Sequence, residues 1–230
     1  MDEEEWLSCE DPDYAIPFLV DEMRSSDRKL RLFACACCER VAAYVIPDLI
    51  PLLCSAERYA DGLLTASELL TAHAAARQRF GVWDNNDPHY RPQEAAIEAF
   101  ILSAEVASNE QGRFIHFAQE ASGIAAIAVE HAERQHKTLL DESARQSQLL
   151  RDIFGNPFRP VAFNGMWRTS DVELLATGIY DEKAFDRMPI LADALQDAGC
   201  DSDDILNHFR DPHATHVRGC WALDLVLGKE

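Results

Sequence analysis

Apolar side chains recur along this chain at intervals of three and four residues, and this period limits most strongly how the chain folds. Half-buried strands need an apolar residue at every second position, and no stretch shows that alternation convincingly. In the segment 27–45, one face of a helical wheel collects Leu30, Phe33, Cys37, Val41 and Tyr44. The pattern therefore predicts an all-α fold, an irregular multi-helix bundle of eight to ten helices.

Capping residues give approximate bounds for several of these helices. Ser26 is a typical N-cap for the helix predicted over 27–45. Thr65 followed by Glu68 forms a capping box, which indicates that a helix begins there. Towards the C-terminus, the apolar period predicts a final helix over residues 217–227.

A loop rich in Asn, Asp and Pro over residues 83–92 is the clearest break in the pattern. We therefore predict one helical domain over 1–230, with a softer N-terminal lobe at about 1–82 and a main helical lobe at about 93–230.

Charge limits the partners of this chain. It has 40 acidic against 21 basic residues, a net charge of −19, and residues 1–27 alone carry ten acids. Phosphate backbones require a basic footprint, so we expect no direct binding to nucleic acid, and an anionic membrane surface is disfavoured for the same reason. The excess of acidic residues has two interpretations: it provides a surface for a protein partner, with a basic protein as the best match, or it serves solubility alone.

Cysteine usage and the N-terminal residues indicate a compartment. Seven is an odd number of cysteines, and the crowding of Cys35, Cys37 and Cys38 fits no disulfide framework. The sequence begins Met-Asp-Glu-Glu-Glu-Trp, the opposite of a basic signal-peptide start, and no apolar stretch reaches the length of a bilayer span. We expect a cytoplasmic protein with reduced thiols that does not enter a membrane.

The densest set of metal-ligating side chains lies near the C-terminus: His208, His213, His216 and Cys220. His216 and Cys220 are four positions apart, so a helix that begins early enough presents both on one face. Zinc binds imidazole and thiolate, and it would take further ligands from elsewhere, Cys35 or Cys38 for instance. The open alternative is a loop with a buried Cys220 and solvated histidines. We expect no cofactor, with zinc as the alternative.

Three arginines surround a turn at residues 155–160: Arg151, Arg159 and Arg168. In so acidic a chain, this local basic patch is a candidate contact for an anion, a carboxylate or a partner. The alternative is that the arginines tie the turn to neighbouring acidic helices.

Several longer motifs carry a resemblance to a known family. They include Gly-Asn-Pro-Phe-Arg-Pro-Val at 155–161, Pro-Ile-Leu-Ala-Asp-Ala-Leu at 189–195 and His-Val-Arg-Gly-Cys-Trp at 216–221. Together they resemble the signature of an uncharacterised family of all-helical bacterial proteins that is expanded in planctomycetes. The resemblance implies the domain limits and favours a role for the C-terminal tract, and it implies no activity.

The sequence contains no nucleophile elbow, phosphate-binding glycine loop or dinucleotide fingerprint. We therefore predict a non-catalytic interaction protein, either an adaptor, an accessory subunit or an inhibitor, that docks a protein partner through its acidic surface. The alternative is a metal-dependent helical enzyme that uses the His208–Cys220 tract.

Overall fold

A computed structural model describes residues 1–21, 26–42, 49–80, 119–127, 129 and 136–229. Every regular element among these residues is helical, so the predicted all-α bundle is confirmed. None of the described helices combines the length and the apolar character that a bilayer crossing requires. The predicted loop at 83–92, and with it the predicted lobe boundary, lies outside the described residues.

The chain forms two compact units, which consist mainly of Glu3–Gln148 and Leu149–Glu230. The helices that begin in the first unit are α1 (Glu3–Ser8), α2 (Pro12–Asp21), α3 (Asp27–Arg40), α4 (Ile50–Ala60), α5 (Ala66–Phe80) and α6 (His136–Phe154). Residues 119–127 are helical as well. The helices of the second unit are α7 (Ser170–Glu182), α8 (Met188–Asp197), α9 (Asp203–Arg210) and α10 (Trp221–Leu227).

Helix α3 lies in the core of the first unit and packs on α4. Its predicted cap is confirmed, because the Ser26 side chain accepts a hydrogen bond from the Lys29 N–H group. Leu30, Phe33, Cys37 and Val41 of the predicted apolar face are buried, and Tyr44 lies outside the described residues. Cys35 and Cys38 are fully buried too. The predicted face is therefore only part of what is buried, because the whole run from Leu30 to Cys38 is enclosed.

Two polar contacts fix helices of the first unit. The capping box is confirmed: the Thr65 N–H group donates to Glu68 and the Glu68 N–H group donates to the Thr65 hydroxyl. Elsewhere in the unit, the guanidinium of Arg40 makes a bidentate contact with the buried carboxylate of Glu142 on α6, with Nη2 2.8 Å from Oε2. This contact supplies a buried charge with the partner it requires.

The second unit has a core of its own, built where α7, α8, α9 and α10 pack together. Its largest enclosed side chains include Trp167, Tyr180, Met188, Leu191 and Phe209.

The final helix begins at Trp221 and not at residue 217. Gly219 has a φ of 92°, a left-handed conformation that interrupts a helix, and Cys220 then serves as the N-cap. Arg218, just before this turn, donates to the carbonyl of Tyr180 at 3.2 Å. Its guanidinium also lies 4.7 Å from the centre of the Tyr180 ring.

Candidate metal centre

An aspartate buried at the end of α6 is the centre of the site. Asp152 has a side chain that is only 4% exposed, and its neighbours Leu149 and Ile153 lie in the core. The helix ends two residues later, at Phe154, and Gly155 has a φ of 67°. Since ionised carboxylates are almost never buried without a partner, the position of Asp152 requires compensating groups nearby.

The other three side chains come from the segment 208–220. His208 lies in the last turn of α9, and His216 follows in the connection to α10. A turn closed by a 3.0 Å hydrogen bond from the Cys220 N–H group to the Val217 carbonyl places Cys220 at the start of α10. This turn, rather than a helix face, brings Cys220 back towards His216.

The donor atoms of these four residues all lie within 4.8 Å of one another. His208 Nε2 is 3.1 Å from Cys220 Sγ and 3.3 Å from Asp152 Oδ1. His216 Nδ1 is 3.0 Å from Asp152 Oδ1 and 3.8 Å from Cys220 Sγ. One side chain from the end of α6 and three from the segment 208–220 therefore bring their donor atoms close to a common centre.

This arrangement differs from a catalytic relay of cysteine, histidine and aspartate. In such a relay, one ring nitrogen of the histidine faces the nucleophile and the other faces the carboxylate. Here His208 presents one nitrogen, Nε2, to both Cys220 and Asp152. Cys220 is also fully buried, whereas a nucleophile must meet its substrate. The geometry suits the binding of an ion better than nucleophilic attack.

The surroundings of Asp152 keep its carboxylate ionised. Burial is the largest single influence and raises its pKa, but hydrogen bonds with His208 and His216, together with the electrostatic attraction of the two rings, outweigh it, and the pKa lies below its ordinary value. The second oxygen, Oδ2, accepts the Val217 N–H group at 2.9 Å. Asp152 is thus held at both oxygens, one on the shared centre and one on the backbone.

Cys220 has the opposite tendency. Burial and the nearby Asp152 carboxylate raise the pKa of its thiol well above the usual range, and the N–H groups of Leu223 and Ala222 oppose them only in part. A divalent cation at the shared centre would reverse this balance, because a coordinating thiol loses its proton. The cation would also neutralise the repulsion between two anionic groups in a buried place.

Packing against the ligands holds the rings in place. The rings of His208 and His216 meet edge to face with their centres 4.8 Å apart, and the Trp221 ring centre is 5.0 Å from that of His208. Trp221 lies against Gly155, where an added Cβ would come within 3.0 Å of the indole Cγ. His216 Nε2 is buried and has no hydrogen-bond partner among the described residues.

The structure brings together three of the four residues proposed from the sequence: His208, His216 and Cys220. His213 is exposed, and its N–H group donates to Asp211. Cys35 and Cys38, considered as further ligands, are not part of the cluster. Asp152 was not among the candidate ligands predicted from the sequence. Its position between the apolar residues Leu150 and Ile153 was nevertheless a signal of a buried acidic residue that needs a partner.

The three arginines near residues 155–160 have different surroundings. Arg168 donates to the carbonyls of Val226 and Leu225, at 2.6 and 3.0 Å, and so holds the end of α10. Arg151 lies in the last turn of α6, and Arg159 is exposed. Contact of these arginines with an anion or a partner stays a prediction.

Fold and site together define an all-helical protein whose C-terminal unit gathers two histidines, a cysteine and an aspartate around one point. Comparison with protein-family models, curated proteins and solved structures gave no match for this chain. The resemblance to the planctomycete family stays a prediction, and two of its motifs meet at this site through the contact between Gly155 and Trp221.

Proposed function

We propose that the C-terminal unit binds one zinc ion through Asp152, His208, His216 and Cys220, and that the ion has a structural role. The observation that supports this proposal is the convergence of four donor atoms within 4.8 Å of one another. Around a tetrahedral zinc with bonds of about 2.0–2.3 Å, donor atoms lie roughly 3.3–3.6 Å apart. Four of the six donor–donor separations, at 3.0, 3.1, 3.3 and 3.8 Å, are close to that spacing, and all six are within 4.8 Å.

The chemistry of the donors favours zinc over other common ions. Thiolate and imidazole are poor ligands for magnesium and calcium, which prefer oxygen. Zinc accepts sulfur, nitrogen and carboxylate oxygen in one site. The charges also balance, because the thiolate of Cys220 and the carboxylate of Asp152 together neutralise a divalent ion.

The coordination number supports a structural ion rather than a catalytic one. Catalytic zinc keeps a position for water or substrate, whereas a structural site fills all four positions with protein. Here four protein donors are available, and Cys220 and Asp152 are buried. The ion would tie the end of α6 to α9 and to the start of α10.

A structural ion is compatible with a non-catalytic role for the whole chain, which we propose is the docking of a protein partner. Five aspartates of the second unit, the candidates for this contact, are exposed: Asp193, Asp197, Asp201, Asp203 and Asp204. Arg210 pairs with Asp193 at 2.6 Å, and the other four exposed aspartates keep this surface strongly acidic. Such a surface would speed association with a basic partner in a salt-dependent way.

Metal analysis tests the proposal of a zinc site. The full chain, purified without a histidine tag, should contain about one equivalent of zinc by mass spectrometry of the metal. Asp152→Ala and Cys220→Ser should lose it, while His213→Ala, a matched control at an exposed histidine, should keep it. Purified chain that neither contains zinc nor takes it up after purification would contradict the proposal.

A further inference from the structure

We infer that this site selects ions that accept four-coordinate geometry, and that it rejects ions that require six ligands. The inference rests on the proposed function and deepens it. Two features support it: the carboxylate of Asp152 is restricted to one coordinating oxygen, and the packing around the donors leaves little room for water ligands.

The restriction on Asp152 comes from the backbone. Its Oδ1 faces both histidine donors, at 3.0 Å from His216 Nδ1 and 3.3 Å from His208 Nε2. Its Oδ2 is held by the Val217 N–H group at 2.9 Å. A carboxylate that uses one oxygen for a buried N–H group has one oxygen left for the ion. Bidentate coordination by Asp152 would raise the coordination number of the ion, but it would break the hydrogen bond from the Val217 N–H group.

Packing limits access for additional ligands. Asp152, His216 and Cys220 have side chains that are 4%, 6% and 0% exposed. His208 is the most accessible donor at 18%, and the Trp221 ring lies against it. The close approach of Gly155 to Trp221 keeps the indole in that place. Trp221 is therefore a positioning residue that shields the centre from water.

These restrictions should change the relative affinities of the site for different metal ions. In a site that adapts to each ion, affinity rises from Co²⁺ to Ni²⁺, and Ni²⁺ takes square-planar or six-coordinate geometry readily. A site that imposes a tetrahedron and excludes water removes that advantage. Co²⁺ should then bind more tightly than Ni²⁺, which reverses the usual order for this pair of ions.

The experiment uses the full chain after its metal has been removed with a chelator. Co²⁺ and Ni²⁺ are each titrated in competition with a coloured chelator of known affinity. We expect Co²⁺ to bind about tenfold more tightly than Ni²⁺ or better. We also expect Co²⁺ to give the intense visible absorption of a tetrahedral ion, with a thiolate charge-transfer band that disappears in Cys220→Ser.

Variants connect the selectivity to the residues. Trp221→Ala opens the site to water, so the ratio of the Co²⁺ and Ni²⁺ affinities should move towards the usual order, whereas His213→Ala should leave it unchanged. If Trp221→Ala does not fold, the relative affinities of the unmodified chain for Co²⁺ and Ni²⁺ still test the inference. Ni²⁺ bound more tightly than Co²⁺, or a weak six-coordinate Co²⁺ spectrum, would overturn the inference and leave metal binding standing. Failure of Zn²⁺ and of both these ions to bind would overturn the proposed function itself.

Discussion

Replacement of His216 by alanine distinguishes a metal centre from a loop with a buried cysteine. Its side chain is only 6% exposed, and its Nδ1 lies 3.0 Å from Asp152 Oδ1. In the unmodified protein with zinc at about a thousand times its dissociation constant, the ion would add about 4 kcal/mol to the free energy of unfolding. For a chain of 230 residues, that corresponds to a melting temperature higher by roughly 8–16 °C.

Without metal, His216→Ala removes only a hydrogen bond to a charged partner and some packing, which costs about 2–3 kcal/mol. Asp152 would keep its contacts with His208 and with the Val217 N–H group. The variant and the unmodified protein should therefore differ strongly when loaded with zinc and much less after chelation.

The assay is urea unfolding of the full chain, followed by tryptophan fluorescence and circular dichroism, with and without a chelator. The chelator should lower the stability of the unmodified protein by about 4 kcal/mol and leave His216→Ala nearly unchanged. His213→Ala should respond like the unmodified protein, because His213 is exposed. A chelator without effect on the unmodified protein, or an equal effect on both proteins, would refute the reasoning.

Three further predictions concern the thiols. Cys35→Ser should cost about 1–3 kcal/mol in chemical unfolding because it buries a hydroxyl, whereas Cys54→Ser, at an exposed position, should stay within about 0.5 kcal/mol; equal losses would contradict the burial of Cys35. Burial raises the pKa of Cys35 and of Cys37, so these thiols ionise at a lower pH in the unfolded chain than in the folded one. The free energy of unfolding should therefore keep its full value below about pH 8.5 and fall as the pH rises above it. If the melting temperature of a Cys35→Ala, Cys37→Ala double variant fell as steeply with rising pH, the two thiols would not be the cause of this pH dependence. Zinc binding at pH 7 should release about one proton from Cys220, whose pKa is raised, and calorimetry in buffers of different ionisation enthalpy should find less release in Cys220→Ser.

Local sequence determined the helices of this protein. The hydrogen bonds of a helix join residues four apart, and its caps lie next to it, so Ser26 and the Thr65–Glu68 box could be located without knowledge of the rest of the chain. The same local period also indicated the buried face of α3. It could not indicate that α3 is enclosed on its other side, where Cys35 lies, because that depends on elements distant in sequence.

The candidate site shows the same division. The spacing of His216 and Cys220 indicated a shared ligand set, and the structure does bring the two together, but by a turn at Gly219 and not by a helix face. Asp152 joins them only through tertiary structure, because it lies 64 positions before His216. No local period connects residues so far apart, and packing of α6 against the C-terminal segment decides whether they meet. The sequence thus determined the helices and three of the donors, whereas tertiary structure alone decided the fourth donor and the geometry around the shared centre.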